Sequence, residues 1–191
     1  MFTQSIQRIE NAYDSILANQ TSAHLYEGLS LYGEIDLRSF ADLIHSVPLS
    51  HQDVFADLGS GPGKPTLYTF LATPVQIALG FEWDAARCAF AEQLKNNILN
   101  SLEQTTSRQC LFFPHNILKT DLSNVTCAYF DATAFPVPGI IAMSQILDRL
   151  PKLHTILSLR PLIGLKKFSL LRRQRVFCSW DCQMAYLYTA R

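Results

Sequence analysis

The sequence is poor in charged residues and has no net charge. They make up 17% of the 191 residues, with 16 Lys and Arg against 16 Asp and Glu. Because the two signs balance, the composition does not indicate a protein whose overall charge attracts nucleic acid or an anionic membrane. Long apolar runs are also missing, since Pro, Gly or a charged residue interrupts each one before the ~18 residues that a membrane span needs. We therefore expect no membrane-spanning segment.

Cysteines are few, odd in number and scattered. Of the five, Cys178 and Cys182 form a C-x3-C pair with no second pair elsewhere, so neither a zinc site nor any other metal site is expected. The composition favours free thiols, mostly buried, in a reducing compartment. The opening segment "MFTQSIQRIENAYD" has Gln, Arg, Glu and Asp where a signal peptide would be apolar. These features predict a soluble intracellular protein.

Apolar spacing predicts an α/β protein. Residues 4–18 have the period of an amphipathic helix, residues 25–35 indicate a loop, and a second helix starts near Leu37 and ends at Pro48. Strand-like and helix-like segments then alternate. The predicted strands are 53–58, 75–82, 109–116, 125–132 and 155–162, the helices 65–73, 84–99 and 140–149, and the terminal hairpin 175–180 with 184–190.

Alternation of this kind predicts an open, mostly parallel sheet of the nucleotide-binding type, covered by helices on both faces. We expect one compact domain. Residues 1–50 would form an N-terminal helical segment and a cofactor-covering loop, and residues 51–191 the core.

Glycine is not abundant, but Gly59, Gly61 and Gly63 lie together directly after the first predicted strand. Bare backbone at that position lets the chain turn sharply and approach a ligand, and the helix that follows supplies free N–H groups. Glu82 ends the second predicted strand, 25 residues after Asp57, where a carboxylate can bind both ribose hydroxyls. The alternative is a tight strand–helix turn with no ligand. The combination favours a nucleotide-like cofactor.

The details of the loop favour S-adenosylmethionine (SAM). The spacing is G-x-G-x-G instead of the G-x-G-x-x-G of dinucleotide sites, and Lys64-Pro65 lacks the Lys-Ser/Thr ending of a P-loop. Asp57 would repel a pyrophosphate but suits a ligand that bears an ammonium group. SAM has a sulfonium, an α-amino group, a ribose and an adenine, and no phosphate.

"DLGSGPG" resembles motif I of the class I SAM-dependent methyltransferases. Further segments follow in order: "LYGEI" (31–35), "FADLGSGPGK" (55–64), "GFE" (80–82), "DATAF" (131–135), "SLRPL" (158–162), "CSW" (178–180) and "AYLYT" (185–189). Together, over roughly residues 30 to 191, they are similar to the catalytic domain of the disruptor-of-telomeric-silencing family. Those proteins are chromatin regulators, histone-lysine methyltransferases built on a class I fold instead of a SET domain.

The resemblance implies a Rossmann-like, seven-stranded sheet ending in an antiparallel hairpin. It also implies a cofactor site, formed by Tyr32, Glu34, Asp57, Gly59, Gly61, Gly63, Glu82 and Asn116. Tyr32 and Glu34 would lie on a loop that closes over the methionine end of SAM, although Glu34 can also be read as a helix-capping charge. Asp57 and the glycines would hold the amino-acid portion, and Glu82 the ribose. Asn116 replaces the usual Asp beside adenine.

The implied transfer site consists of Asp131, Phe135, Trp180 and Tyr186. A lysine acceptor has a pKa of ~10.4 and must lose its proton before attack. An aromatic channel helps by desolvating the ammonium, and Asp131 would orient the amine or accept its proton. "DATAF" replaces the Asn-Asn-Phe-Ala-Phe of the family, and Tyr186 aligns one place late. The alternative for the aromatic residues is a place in the core.

The basic run "LKKFSLLRRQR" (165–175) allows a weak contact with nucleic acid or acidic protein, although a solvated loop or helix face is the favoured interpretation. The function expected is methyl transfer from SAM to a lysine of a protein, first of all histone or nucleosome, by a monomer. The protein would be nuclear if the substrate is histone and otherwise cytoplasmic. The alternatives are a small-molecule or non-histone substrate, or a SAM-binding module without transfer.

Overall fold

A computed structural model describes residues 2–19, 33–102 and 107–191 of the chain. Before the first strand, the described ranges contain α1 (Phe2–Asn19) and α2 (Leu37–Ile44). The remaining elements are β1 (Val54–Leu58), α3 (Lys64–Ala72), β2 (Ile77–Phe81), α4 (Ala85–Asn100), β3 (Gln109–Phe113), a 3-10 turn (Ile117–Lys119), β4 (Cys127–Phe130), α5 (Val137–Arg149), β5 (Thr155–Ser158), β6 (Phe168–Phe177) and β7 (Cys182–Ala190). The alternation predicted from the sequence is confirmed.

Aspartates begin two of the helices. Asp36 caps α2 by accepting hydrogen bonds from the backbone N–H groups of Arg38 and Ser39, and Asp84 caps α4 in the same way. A carboxylate at this position satisfies N–H groups that have no partner within the helix. The cap of α2 is therefore Asp36, so the helix-capping interpretation of Glu34 is wrong.

Seven strands form one sheet in the order β3-β2-β1-β4-β5-β7-β6. β1 pairs in parallel with β2 on one side and with β4 on the other, while β7 runs antiparallel between β5 and β6. The strand order reverses at β1, and ligands of such sheets bind beyond the carboxyl ends of the strands at that point. The predicted α/β fold, mostly parallel with a terminal antiparallel hairpin, is confirmed.

The basic run differs from its prediction as a loop or helix face. Most of residues 165–175 belong to β6, which starts at Phe168 and forms one edge of the sheet. Few of its side chains are buried, so the strand has neither the apolar run nor the clear alternation by which a strand is recognised in a sequence. Lys167 is already engaged, because its Nζ donates to the carbonyl oxygens of Leu150 and Leu153 at 2.6 Å.

Each face of the sheet has its own apolar core. One core contains α1, α2, α3 and α4 packed on residues such as Phe55 and Tyr129, and the other contains α5 packed on residues such as Phe130 and Ile156. In the described ranges 2–19, 33–102 and 107–191, no helix is long and apolar enough to cross a membrane. All five cysteines are free thiols, and Cys88, Cys110 and Cys127 are buried.

Polar side chains connect the amino-terminal ends of three strands, at the end of the sheet opposite the glycine loop. Asp53, just before β1, accepts hydrogen bonds from Thr126 Oγ1 at 2.8 Å and from Ser50, and it lies 2.9 Å from Nε2 of His154. Thr126 precedes β4 and His154 precedes β5. Burial raises the pKa of Asp53, but the hydrogen bonds from His154, Ser50 and Thr126 outweigh it, so that the net pKa is lowered.

Candidate active site

A cavity of about 1090 Å³ opens beyond the carboxyl ends of β1, β2, β3 and β4. It is lined by Gly33, Gly59, Phe81, Glu82, Trp83, Arg87, His115, Asn116, Ile117, Leu118, Asp131, Thr133, Ala134, Phe135, Pro136, Ser179 and Trp180. Its volume slightly exceeds the ~300–1,000 Å³ typical of small-molecule sites. It therefore has room for a nucleoside-sized ligand and for part of a second reactant.

The glycine loop is fixed to the end of β2. The backbone N–H groups of Gly59 and Ser60 both donate to the carbonyl oxygen of Phe81, at 2.8 and 3.0 Å. Gly59, Gly61 and Gly63 all have positive φ angles, a backbone conformation that L side chains rarely adopt. Only Gly59 of the three lines the cavity. The loop thus places bare backbone against the ligand space.

Gly63 has a packing role. A Cβ at this position would lie 2.6 Å from the ring of Phe112 and 2.9 Å from Cβ of Ala91. The absence of a side chain lets Gly63, which precedes the first residue of α3, approach β3 and α4 closely. This is the close helix–strand packing that a glycine at the end of such a loop permits.

Glu82 is almost completely buried, with an exposed fraction of 2%, yet its carboxylate is well satisfied. Oε2 accepts a hydrogen bond from the backbone N–H of Gly61, and Oε1 accepts from the backbone N–H of Asp84 and from Nη2 of Arg87, each at 3.0 Å. The carboxylate is therefore oriented at the cavity wall before any ligand binds. An oriented carboxylate at this position can accept hydrogen bonds from ribose hydroxyls.

Asp57 lies beneath the loop and has an unusual protonation equilibrium. Burial raises the pKa of Asp57 to about 8, although the hydrogen bond from Thr66 Oγ1 at 2.9 Å opposes the rise. The nearby carboxylates of Asp131, Glu82 and Glu34 raise it further. Burial also raises the pKa of Asp131, against the hydrogen bonds that it accepts from Oγ1 and the backbone N–H of Thr133.

In the part of the chain that the structure describes, two of these four carboxylates, Glu34 and Glu82, are paired with cations. Glu34 pairs with Lys64 at 2.8 Å and Glu82 with Arg87 at 3.0 Å. Within residues 2–19, 33–102 and 107–191, neither Asp57 nor Asp131 forms an ion pair. Buried carboxylates without a counter-ion are stabilised in the ionised form by a bound cation. The charge distribution favours a positively charged ligand.

The turn between β6 and β7 forms one wall of the cavity. The backbone N–H of Ser179 donates to the carbonyl oxygen of Glu34 at 2.8 Å, and Oγ of Ser179 accepts from the backbone N–H of Glu34 at 3.1 Å. A β-bridge between Ile35 and Cys178 extends this contact. The turn holds Trp180 beside Gly33, at the cavity wall.

The structure brings most of the candidate residues to one place. The cavity lining includes Gly59, Glu82, Asn116, Asp131, Phe135 and Trp180. Asn116 also caps the 3-10 turn, since its Oδ1 accepts from the backbone N–H of Leu118 at 2.9 Å. Asp57 and Gly61 lie in the layer behind the wall, through their contacts with Thr66 and Glu82. Tyr32 lies outside the described residues.

Tyr186 is not among the cavity-lining residues. It lies on β7, where its ring stacks on that of Tyr188 at 6.5 Å and is covered by the guanidinium of Arg173 at 5.6 Å. The structure therefore gives Tyr186 a place in the sheet, outside the cavity lining that contains Phe135 and Trp180.

Other lining residues were not anticipated from the sequence. Arg87 pairs with Glu82, Thr133 binds Asp131, and Trp83 is 77% exposed beside Glu82. A signal for Arg87 was available: Asp84 is a helix cap, and Arg87 lies in the first turn of that helix. For Thr133 and Trp83 the local pattern contained no comparable signal.

Comparison with known proteins identifies the family. The family described as "Histone methylation protein DOT1" matches residues 13–114, which is more than half of the chain. The chain belongs to the DOT1 family. The match includes the glycine loop and Glu82, and it also includes part of α1. A search of curated proteins finds no match to this DOT1-family chain.

Solved structures with a similar fold are distant in sequence. An RNA methyltransferase from Salinibacter ruber, in complex with S-adenosyl-L-homocysteine, has a TM-score of 0.60 at 15% identity over 80% of this chain and 90% of its own. Magnesium protoporphyrin IX methyltransferase from Synechocystis PCC 6803, with bound SAM, has a TM-score of 0.59 at 14% identity over 81% and 77%. These similarities show that the DOT1-family chain has the Rossmann-like fold of class I methyltransferases.

Proposed function

We propose that this DOT1-family protein transfers a methyl group from SAM to a lysine side chain of a protein, with histone as the first substrate to test. The observation that carries the proposal is the cavity at the switch point of the sheet. It combines the glycine loop, the oriented carboxylate of Glu82, and the carboxylates of Asp57 and Asp131, which have no counter-ion in the described part of the chain. Membership of a family described by histone methylation supports the choice of substrate.

The polar groups of the cavity and its wall match the successive parts of SAM. Asp57 and the backbone of Gly59 suit the ammonium group of the amino-acid end, and Glu82 suits the ribose hydroxyls. The Asn116 side chain, whose Oδ1 is used within the 3-10 turn, keeps its amide N–H groups for the adenine. Leu118, 38% exposed, offers an apolar surface for the base. When bound, SAM supplies a methyl group on a positively charged sulfur.

The aromatic part of the cavity wall suits the acceptor. Phe135 and Trp180 line it, and Trp180 is 44% exposed, so that its indole can contact an incoming side chain. Apolar walls lower the pKa of a lysine ammonium by desolvation, which favours the neutral amine that attacks the methyl group. Asp131 lies in the same wall and would orient the amine. Transfer itself is an in-line displacement, so positioning dominates.

The edge strand β6 presents cations to a partner with acidic groups. Arg172, Arg173 and Arg175 lie on β6, which leads directly to the turn that holds Trp180. We propose that this strand makes a weak contact with nucleic acid when the substrate is a nucleosome. On this proposal the protein acts as a monomer in the nucleus, and it acts in the cytoplasm if the substrate is not histone.

The test is radiolabelled methyl transfer from SAM to free histones, to nucleosomes and to a cell lysate. The variant Gly61→Arg, which puts a long cationic side chain on the loop residue that donates to Glu82, should abolish all labelling. Because positive φ at Gly61 makes its folding uncertain, Trp180→Ala is the second control, expected to bind SAM in calorimetry but to label at least about tenfold less.

Each outcome selects one function. Label on histone, lost in both variants, supports the proposal. Label only on other lysate proteins keeps the protein-lysine activity and rejects histone. SAM binding without label on any protein would instead favour a small-molecule methyltransferase or a SAM-binding module. The unusual "DATAF" segment, where Thr133 occupies the carboxylate of Asp131, is the observation that favours the module.

A further inference from the structure

Strand β6 is ten residues long, and it is the last strand at one edge of the sheet. Within the described residues, no other strand pairs with its outer edge. The end of that edge is occupied, because Phe177 donates its backbone N–H to Oγ of Ser39 at 2.9 Å and accepts from the backbone N–H of Asp36 at 2.8 Å. This pairing ends where α2 begins, at Leu37. The rest of the edge is open to a further strand.

The backbone of Phe177 shows which residues of β6 face the open side. In an antiparallel strand the N–H and C=O of one residue point to the same side, and successive residues alternate. Arg173 and Arg175 therefore direct their backbone groups outward, as Phe177 does, whereas Gln174 and Val176 face β7. Among the described residues, no backbone group outside the β6–β7 ladder bonds to Arg173 or Arg175. Two donors and two acceptors thus stand in a row at the edge.

Cations lie beside this edge on both faces of the sheet. On one face, Arg172 and Gln174 line a groove of about 470 Å³ together with Arg38 of α2. Arg173 and Arg175 lie on the opposite face, because side chains alternate along a strand. None of these four arginines forms an ion pair with a described residue. The other residues described in the groove lining are Ile6, Ala41, Asp42, His45 and Ser46, of which one is acidic.

The charge also decides which occupant fits the edge. A second copy of the chain is disfavoured, because two β6 edges would place arginines opposite arginines. Protection against such self-pairing does not explain the apolar residues of the strand, since Leu171 is 65% exposed and Phe177 66% exposed. A peptide strand can cover apolar side chains, whereas phosphate groups cannot. The edge therefore combines open backbone, positive charge and apolar surface.

We propose that the open edge of β6 binds an acidic peptide segment of a partner protein, which joins the seven-stranded sheet as an additional strand. At about 3.4 Å per residue, the stretch from Leu170 to Arg175 pairs with about six residues. Consecutive Asp or Glu residues of the peptide point to alternate faces, so they reach the groove arginines on one face and Arg173 on the other. Backbone hydrogen bonds supply affinity and the charges supply selectivity. The inference does not depend on methyl transfer.

Fluorescence anisotropy with the full chain and three labelled probes tests the inference at one salt concentration. The first probe is an eight-residue peptide that is mostly Glu with some Val. The second is the same peptide with N-methyl groups on two adjacent central amides, which keeps the charge but blocks pairing along both of its edges. The third is a short DNA duplex. We expect the first peptide to bind at least about tenfold more tightly than the second, and more tightly than the duplex.

Variants and hydrogen exchange locate the binding. Arg175→Glu reverses an exposed charge on the edge and should weaken binding of the first peptide at least about tenfold. Lys119→Glu makes a matched reversal at an exposed residue after β3, the opposite edge of the sheet, and should leave the affinity unchanged. In the wild type, the peptide should slow amide exchange of Arg173 and Arg175 but not of Gln174, which already faces β7. This measurement needs no variant, so it applies even if Arg175→Glu does not fold.

Several results would overturn the inference. Absence of binding does so, as does equal binding of the two peptides, because charge alone would then account for the attraction. Undiminished binding by Arg175→Glu, or unchanged exchange at Arg173, would also reject the edge as the site. A duplex that binds more tightly than the peptide rejects the inference and favours the nucleic-acid contact proposed above. Methyl transfer is measured separately, so failure of this inference is distinct from failure of the proposed function.

Discussion

The indole of Trp180 packs directly against Gly33. A Cβ on Gly33 would lie 2.4 Å from two atoms of the indole ring, far closer than two non-bonded carbon atoms can approach. Gly33 precedes the segment that pairs with the turn at residues 178–181, and both residues line the cavity. The glycine is therefore what allows this wall to form in its observed position.

Gly33→Ala should displace the Trp180 ring without unfolding the protein. Trp180 is 44% exposed, so the ring can move toward solvent, and we expect a change of less than about 1 kcal/mol in the free energy of unfolding. In a Trp83→Phe background, tryptophan fluorescence reports the environment of the Trp180 ring alone. The emission maximum should shift to longer wavelength in Gly33→Ala. Methyl transfer should fall at least about tenfold while SAM binding persists. An unchanged emission spectrum would show that the ring does not depend on Gly33.

Gly63→Ala and Gly59→Ala form a matched pair. Both glycines have positive φ, which costs an alanine about 1–2 kcal/mol. At Gly63 the methyl group also meets Phe112 and Ala91, adding about 1–3 kcal/mol of overpacking, whereas at Gly59 the nearest atom is Phe135 at 3.8 Å. Urea unfolding should therefore show the larger loss for Gly63→Ala, and calorimetry the larger loss of SAM affinity for Gly59→Ala. The reverse ranking would contradict these roles.

Binding of SAM should release a proton through Asp57. The pKa of Asp57 is raised to about 8, so the carboxyl is mostly protonated at pH 6.5, and a cationic ligand favours its ionised form. The affinity should accordingly rise between pH 6 and pH 8. Calorimetry at pH 6.5 in two buffers of different ionisation enthalpy measures the number of protons released. Thr66→Val removes a hydrogen bond that lowers this pKa, so the proton release should occur at higher pH in this variant. If the pH dependence of proton release is the same in Thr66→Val as in the wild type, Asp57 is rejected as the source of the proton.

Thr126→Val should destabilise the protein in a pH-dependent way. The substitution removes the hydrogen bond to Asp53, at a cost of about 1–3 kcal/mol near neutral pH. The lowered pKa of Asp53 stabilises the fold above the unfolded value of about 4, and this contribution is lost as the pH falls through the folded value. The difference between wild type and variant should therefore shrink below pH 4 in urea titrations. The control is Thr120→Val, which removes a hydrogen bond to the carbonyl oxygen of Asn116 and none to a carboxylate. An equal difference at pH 7 and pH 3 would exclude this mechanism.

Local signals were enough for most of the elements. Each predicted strand from 53 to 162 contains the strand that the structure has, because buried strands of a parallel sheet are continuous apolar runs. The edge strand β6 was the exception, since residues with solvent on one side show no such run. The order of the strands was not predicted, because it depends on pairings between segments far apart in the chain.

By itself, the sequence determined the α/β class, the glycine loop behind β1 and the carboxylate at the end of β2, since all of these depend on neighbours within a few residues. Only the tertiary structure decided which charged side chains form ion pairs with each other. Glu34 meets Lys64, Glu82 meets Arg87, and Asp57 remains without a counter-ion in the described residues. It likewise placed Trp180 on Gly33 and Tyr186 in the sheet. Apart from Glu82 with Arg87, these contacts join residues far apart in the chain, so they depend on long-range packing and cannot be read from a local sequence pattern.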